Sequence, residues 1–396
     1  MRTPGSAVKA VYRYRRPGPE CWDAAVTAVC EDTRHRWDAA QALAQAGPAV
    51  SAHADRIAKA LDEGSGRGDE LAFALAGLGD LRALPALRRL TKAGHFPTHR
   101  IEVRVLAALP AAELLPALRA VLGQGPTQYH ASVCTLELLA QWGPDSAPAV
   151  PEVLPYLESP YAYDALRVLG RIGPAAAVAA DRLADFATGR APNAARHHPR
   201  LAAWAHWRVT GDPTLALDVC GAAAGSGSAS HGLPFLADLG PLAAAHADTV
   251  RCRMDSPGAW TRVAAAHAYW RITGDAEPAV PVLLAAVDPD WTGNPAVPTR
   301  EAVRRLGGIG APAAAAAPLL RRILAAEERL SHPYEGVRIL ADEAYVRALT
   351  EALARIDAGA DGPAAAPVPG PAPEPSPGPR RGVLARWLGP RGARTR

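Results

Sequence analysis

The chain has 396 residues, of which 49% are hydrophobic but only 6% aromatic, and its formal net charge is +4. Alanine dominates and runs rich in Val, Ile, Thr and Tyr are missing, so the composition favours closely packed helices and excludes a sheet-based fold. The basic charge lies at the two ends and leaves residues 21–379 at −6, which opposes binding to the phosphates of nucleic acids.

Residues 1–20 form a basic N-terminal arm. They contain no apolar run of signal-peptide length, and no stretch of the chain approaches the ~20 apolar residues of a membrane span. The five cysteines are scattered without a C-x-x-C pair, as in proteins of a reducing compartment. We therefore expect a cytoplasmic protein.

Residues 21–357 repeat one unit. The hexapeptide WRVTGD at 207–212 returns as WRITGD at 270–275, and equivalent glycines stand at 47, 79, 143, 173, 211, 240, 274 and 310, with Pro110 replacing one. The mean spacing is about 33 residues, as in helical repeat proteins. Glycine can end one helix in the left-handed conformation, and the proline or aspartate that often follows can begin the next. Each unit is predicted to be two helices joined by a tight turn.

A buried seam is predicted on the first helix of each unit. Four positions before the glycine stand seven leucines and two tryptophans, and mostly small residues stand eight positions before it. Positions four apart share one face of a helix, so this face is predicted to be core, with Trp207 and Trp270 buried in it.

The second helices begin near a proline and carry leucines at i, i+3 or i+4, as in LLPALRAVL at 114–122. The segments ALRVLGRIGPAAAVAADRL at 165–183 and AAAHAYWRITGDAEPAVPVLLAAV at 264–287 resemble HEAT repeats, particularly the bacterial HEAT-like repeats first noted in phycobilisome lyases. The resemblance covers about residues 24–357. It implies an all-α, right-handed α-solenoid, an α-α superhelix of about nine HEAT-like helix pairs, whose second helices line the concave face.

The candidate binding residues lie on these second helices. Arginines recur three residues after the helix proline, twice with a second arginine beside them, and acidic and aromatic residues lie between the two ends. The candidates are Arg88, Arg89, Arg119, Glu152, Tyr156, Asp181, Arg182, Arg321 and Arg322. A groove that is basic, acidic and basic along its length suits a polypeptide better than uniformly anionic DNA. A solvated face of alternating charges is the alternative interpretation.

The sequence contains no recognisable catalytic constellation. His95 and His99 are separated by Pro97, His197 and His198 are adjacent on a long loop, and neither pair has a cysteine nearby. G-x-S-x-G, a phosphate-binding loop and the His-Glu pairs of HEAT-like di-iron enzymes are missing. We therefore expect no metal, no cofactor and no catalytic residue.

The alternative function is that of a nucleic-acid-acting enzyme or DNA-binding protein. Bacterial alkylpurine-DNA glycosylases also use a HEAT-like scaffold, with aromatic residues and an aspartate in a basic groove, and Trp204, Trp207 and Asp212 are the comparable cluster here. Trp207, however, aligns with core leucines, Asp212 aligns with helix caps, and the body is acidic. We favour a non-enzymatic scaffold that binds a protein or peptide through the concave face.

Four segments lengthen the connections between helices: 187–200, 221–230, 288–300 and 325–343. Loops of this length in a compact array are either functional or flexible.

The C-terminal part has a different composition. Residues 358–379 are almost wholly Ala, Pro and Gly and are predicted to be a disordered linker. Residues 380–396 are predicted to be a basic amphipathic tail, because six arginines surround Val383, Leu384, Trp387 and Leu388, which can share one helix face. Docking onto a partner or back onto the acidic body is favoured, and a membrane surface is a candidate partner of this tail only.

Overall fold

The computed structural model describes residues 4–31, 35–64, 68–92, 103, 105–126, 129–191, 198–226, 232–332 and 338–358. The predictions for His95, His99 and His197, for the linker beyond residue 358 and for the tail at 380–396 lie outside the described residues.

The α-helices are numbered in chain order. They are α1 Pro4–Arg13, α2 Pro19–Cys30, α3 Arg36–Ala46, α4 Ala54–Asp62, α5 Gly68–Gly77, α6 Leu84–Lys92, α7 Ala111–Leu122, α8 Tyr129–Trp142, α9 Val150–Val153 and α10 Ala162–Ile172. The second half contains α11 Ala180–Thr188, α12 Pro199–Thr210, α13 Thr214–Gly225, α14 Leu233–Leu239, α15 Ala247–Cys252, α16 Ala259–Thr273, α17 Ala279–Ala285, α18 Thr299–Ile309, α19 Ala317–Leu324 and α20 Arg338–Ala358. Short 3₁₀ helices lie between several of them, among which Gly47–His53, Gly143–Ala149, Gly173–Ala179, Gly240–His246 and Ala311–Ala316 begin at or just after a repeat glycine.

Regular structure within the described residues is entirely helical, and the only β-type pairing there is an isolated antiparallel bridge between Tyr14 and Glu328. The prediction of an all-α chain is confirmed.

All eight repeat glycines have positive φ, but only some of them, such as Gly211 and Gly274, take the left-handed conformation that the sequence predicts. Two kinds of turn occur. Gly211 ends α12 in the left-handed conformation, with φ 82° and ψ −10°, and Asp212 follows. Gly173 ends α10 with φ 75° and ψ −140°. It is also the first residue of a 3₁₀ helix, Gly173–Ala179, in which Pro174 is the second residue. Gly310 makes the second kind of turn with Ala311 rather than proline after it, so a proline directly after the glycine is compatible with this turn but is not required for it.

The repeated hexapeptide is a helix-ending turn. In the first copy Thr210 Oγ1 donates to His206 O, and Thr210 Oγ1 accepts from Asp212 N at 3.1 Å. Thr273 makes the same two hydrogen bonds in the second copy, with Tyr269 O and Asp275 N. The hexapeptide occurs twice because both copies form the same local structure.

The leucine seam is confirmed, whereas the tryptophans depart from it. All seven leucines four positions before a turn are 0% exposed: Leu43, Leu75, Leu106, Leu139, Leu169, Leu236 and Leu306. Trp207 and Trp270 are only partly buried and pack against the edge of the core, so the prediction that both are buried is wrong. An indole is larger than a leucine side chain, and Trp204, at 1% exposed, fills the core in this region instead.

Each unit packs mainly on its neighbours in the chain. First helices contact the first helices of the next unit, as α3 does with α5, α10 with α12, and α18 with α20. Second helices contact the first helix that follows, as α4 does with α5 and α11 with α12. This local order is what a repeated helix pair with one apolar face produces, since a single unit cannot bury that face alone.

The two ends of the helical series contact one another. Helix α20 packs on α3, and Leu340 N donates to Gln45 Oε1 at 3.2 Å. Backbone hydrogen bonds join Arg15 N to Glu327 O at 2.9 Å and Arg329 N to Arg13 O at 2.8 Å. The order of contacts is therefore cyclic, and the inserted segment after α19 makes the junction. The ends of the helical series are thus not free.

Candidate partner-binding surface

The structure places the candidate residues on successive second helices or directly after them. Arg88 and Arg89 lie in α6, Arg119 in α7, Glu152 in α9, Tyr156 in the 3₁₀ helix Leu154–Glu158, Asp181 and Arg182 in α11, and Arg321 and Arg322 in α19.

Four of the candidate arginines form ion pairs with a carboxylate of the neighbouring unit. Arg119 binds Glu152 through two hydrogen bonds, Nε to Oε2 at 3.1 Å and Nη2 to Oε1 at 2.8 Å. This hydrogen bonding holds the pKa of Glu152 below its ordinary value and raises the pKa of Arg119. The other pairs are Arg88 with Glu113 at 2.8 Å, Arg182 with Glu158 at 2.7 Å, and Arg321 with Asp357 at 2.8 Å.

The series of pairs continues toward the N-terminus. Arg56 binds Asp23 at 3.1 Å and Arg82 binds Asp55 at 2.8 Å. We call the six cross-unit pairs the ion-pair ladder. The sequence analysis missed these partners, although the two members of a pair are 24 to 36 residues apart, close to one repeat. A search for opposite charges one period apart would have found them.

The ladder alters the expected charge of this face. A groove that is basic, acidic and basic was expected, but the described arginines at 88, 119, 182 and 321 are each neutralised by a carboxylate at hydrogen-bonding distance. Arg89, Asp181 and Arg322 are exposed and form no ion pair within the described residues. These pairs are largely exposed, and surface ion pairs add little to stability. Their main effect is to leave a face on which both signs of charge alternate.

Tyr156 is not part of a surface. Its side chain is 1% exposed, its hydroxyl donates to Leu122 O at 3.1 Å, and burial raises its pKa. The structure therefore places Tyr156 in the core, hydrogen-bonded to the preceding unit through Leu122, and not on the predicted groove.

The residues compared with a DNA glycosylase have structural contacts. Trp204 is buried and its indole Nε1 donates to Asp238 Oδ2 at 2.7 Å, so it cannot stack on a base in this conformation. Asp212 Oδ1 accepts from Thr214 N at 3.0 Å and from the Thr214 hydroxyl, and these bonds lower the pKa of Asp212. Trp207 has the guanidinium of Arg208 5.7 Å from its ring centroid.

The other titratable groups considered from the sequence are dispersed. His198 packs edge-on against Tyr163, with ring centroids 5.0 Å apart. In the described part of the chain, no three His, Cys, Asp or Glu side chains are placed to hold a metal ion. No described helix combines the length and the apolarity needed to cross a membrane.

In a comparison with known proteins, no protein family and no curated protein matches the chain.

Proposed function

We propose that the chain is a cytoplasmic, non-enzymatic scaffold that binds a protein or peptide through the face of its second helices, in an α-solenoid of about nine HEAT-like pairs. The resemblance described above suggests this arrangement, and the cyclic order of contacts would close it on itself. A curved stack of this kind offers a large, continuous surface to an extended partner.

The ion-pair ladder is the observation that supports this function over binding to nucleic acid. A phosphate backbone would have to displace carboxylates that lie 2.7–3.1 Å from the arginines it needs. A nucleic acid has no positive group to bind the released carboxylates. Its phosphates must be neutralised by basic residues of the protein that are free of other partners. A polypeptide carries both signs of charge and can exchange with both members of a half-exposed pair, so the ladder favours a polypeptide.

Photo-crosslinking from the full chain tests this proposal. A photoreactive amino acid is placed at Arg89 or Arg322, which are exposed on second helices, and at Gln141 or Arg347, which are exposed on first helices. We expect the second-helix positions to crosslink a discrete protein in native cell extract and the first-helix positions to crosslink it several-fold less. Equal capture from all four positions would remove the claim about this face.

A binding assay with duplex DNA tests the alternative function, that of a nucleic-acid-acting or DNA-binding protein. We expect no binding of a fluorescent duplex at 150 mM salt, because the paired arginines release few counterions. Tight binding whose affinity falls steeply as salt rises would instead support the nucleic-acid function.

A further inference from the structure

The turns between first and second helices lie side by side along one edge of the helix array. Gly143, Gly173, Gly240 and Gly310 each face the carbonyl oxygen of a residue near the end of the next first helix, namely Arg171, Arg208, Arg271 and Arg355. We call this edge the turn rim. It consists of residues 47–53, 78–83, 107–110, 143–149, 173–179, 211–213, 240–246, 274–278 and 310–316.

The turn rim is apolar and exposed. Of the four large apolar side chains that are exposed among the described residues, three lie on it: Leu81 at 49%, Val178 at 71% and Leu242 at 55%. Most of the remaining exposed rim residues are alanine and proline. A run of apolar side chains that water reaches is a candidate for contact with another apolar surface.

The charges of the turn rim are almost all negative. It contains five carboxylates and a single arginine, Arg82, which already binds Asp80 and Asp55. Asp275 and Glu277 are exposed and have no ion-pair partner within the described residues. A segment that covers this edge should therefore be apolar on one face and basic around it.

The chain itself leaves the described structure at this edge. Helix α20 ends at Ala358, and the carbonyl of Arg355, three residues earlier, faces Gly310 on the rim. Residues 359–379 follow, and 21 residues can reach at most about 65 Å at ~3.1 Å per residue, the rise of an extended Pro-rich chain. Packed helices are ~8–10 Å apart, so the last three turns lie within that reach.

We propose that residues 380–396 of the same chain cover the last three turns of the rim, 240–246, 274–278 and 310–316. These residues include Trp387 and Leu388 among four large apolar side chains, and six arginines with no acid. The apolar side chains pack on Leu242 and the alanines around it, and the arginines lie against Asp275 and Glu277. This contact uses a different surface from the second-helix face and stands independently of the proposed function.

Crosslinking within the full chain tests the contact. A photoreactive residue replaces Leu242, and in a second protein it replaces Val178, which is at least as exposed but belongs to a turn far from α20 in the order of contacts. We expect the Leu242 position to form an intramolecular crosslink to residues 380–396, and the Val178 position to form it several-fold less.

Two variants, one with a single and one with a double substitution, separate the apolar and the charged parts of the contact. Trp387→Ser should lower the yield from the Leu242 position about tenfold, as loss of a central aromatic anchor does. Asp275→Asn with Glu277→Gln should lower the yield less and should abolish its sensitivity to salt. Asp145→Asn, which removes a rim carboxylate far from the last three turns, is the matched control and should change nothing.

Four results would each overturn the proposal. They are equal yields from the Leu242 and Val178 positions, no crosslink to residues 380–396, crosslinks that join two chains, and loss of the crosslink on addition of phosphatidylglycerol vesicles with cosedimentation of the protein. The last would assign the segment to an anionic membrane surface, and the third to a second copy of the chain.

Discussion

The buried carboxylate of Asp342 binds Arg15, a residue 327 positions earlier in the chain, with Nε to Oδ1 at 3.1 Å. The side chain of Asp342 is 0% exposed and also accepts from Arg329 Nη1 at 3.1 Å and Leu330 N at 3.1 Å. Two arginines and one backbone amide thus satisfy a single buried carboxylate where the first and last parts of the helical series meet. The junction is a specific polar contact in addition to the packing of α20 on α3.

The Arg15–Asp342 pair should be required for stability. Arg15→Ala removes one of the two arginines that bind this buried carboxylate while Arg329 remains, so it should cost about 1.5–3 kcal/mol, as loss of a hydrogen bond to a charged group does. Urea unfolding followed by circular dichroism measures the loss. Arg13→Ala is the control, because Arg13 pairs with Glu328 while both side chains are more than half exposed, at 61% and 57%, and such a pair contributes little to stability. Equal losses would contradict the importance of the junction.

Trp204, rather than Trp207, should be the energetically important tryptophan of its helix. Trp204→Ala removes a fully buried indole and should cost about 3–5 kcal/mol of unfolding free energy. Trp207→Ala should cost clearly less, since that ring is partly exposed. Trp204→Phe keeps part of the aromatic packing but removes the hydrogen bond to Asp238 and some buried volume, so it should be intermediate between wild type and Trp204→Ala. A larger loss for Trp207→Ala than for Trp204→Ala would show that the core lies elsewhere.

Gly307→Ala should destabilise the protein although alanine is the better helix former. A Cβ at this position would lie 2.6 Å from the Cα of Ala352, so α18 and α20 would have to separate. Overpacking of this kind costs about 1–3 kcal/mol, which exceeds the ~0.5–1 kcal/mol that alanine contributes in a helix. Gly225→Ala is the control, because a Cβ there meets nothing within 4 Å. Thermal unfolding should show a lower Tm for the first variant and an unchanged or higher one for the second.

His267 should make the protein less stable in mild acid. Burial and the nearby charges of Arg305 and Arg271 hold its pKa well below the ordinary value, and its Nε2 lies 3.2 Å from Arg305 Nη1, which donates to it. The folded state therefore keeps His267 neutral while the unfolded state binds a proton below pH ~6.5. Stability from this group is therefore fully present above that pH and is lost as the pH falls below it.

The measurement is urea unfolding at pH 7.5 and 5.5 for wild type and His267→Gln. The other groups titrate in both proteins, so the difference between the two pH dependences isolates His267. The wild type should lose more stability between the two pH values, and equal losses would contradict the proposed neutral state.

Cysteine labelling should follow burial. Burial raises the pKa of the Cys220 thiol to about 12, whereas Cys252 is exposed. Because the thiolate is the reactive form, iodoacetamide at pH 8 should modify Cys252 first and leave Cys220 unmodified. Labelling in urea, which should modify all five cysteines, is the control. Equal rates for Cys220 and Cys252 in the native protein would contradict the described core.

The sequence by itself determined the local architecture. Glycine at a fixed spacing predicted the turns, because few other residues adopt positive φ, and every repeat glycine has it. Leucine four positions before seven of the nine turns predicted the buried seam, because residues four apart share a helix face, and all seven leucines are buried. Both predictions needed only interactions between residues close in the chain.

Tertiary structure decided which side chains meet. Arg119 and Glu152 were both predicted as candidate binding residues, and only the structure shows that they pair with each other and that Tyr156 does not reach the surface. The helical period could not rank Trp204 against Trp207, because that choice depends on the space left by the neighbouring unit. Contact between Arg15 and Asp342 depends on how every unit packs on the next across the 327 positions that separate the two residues. No single repeat encodes that packing, so only the packed chain shows that its ends meet.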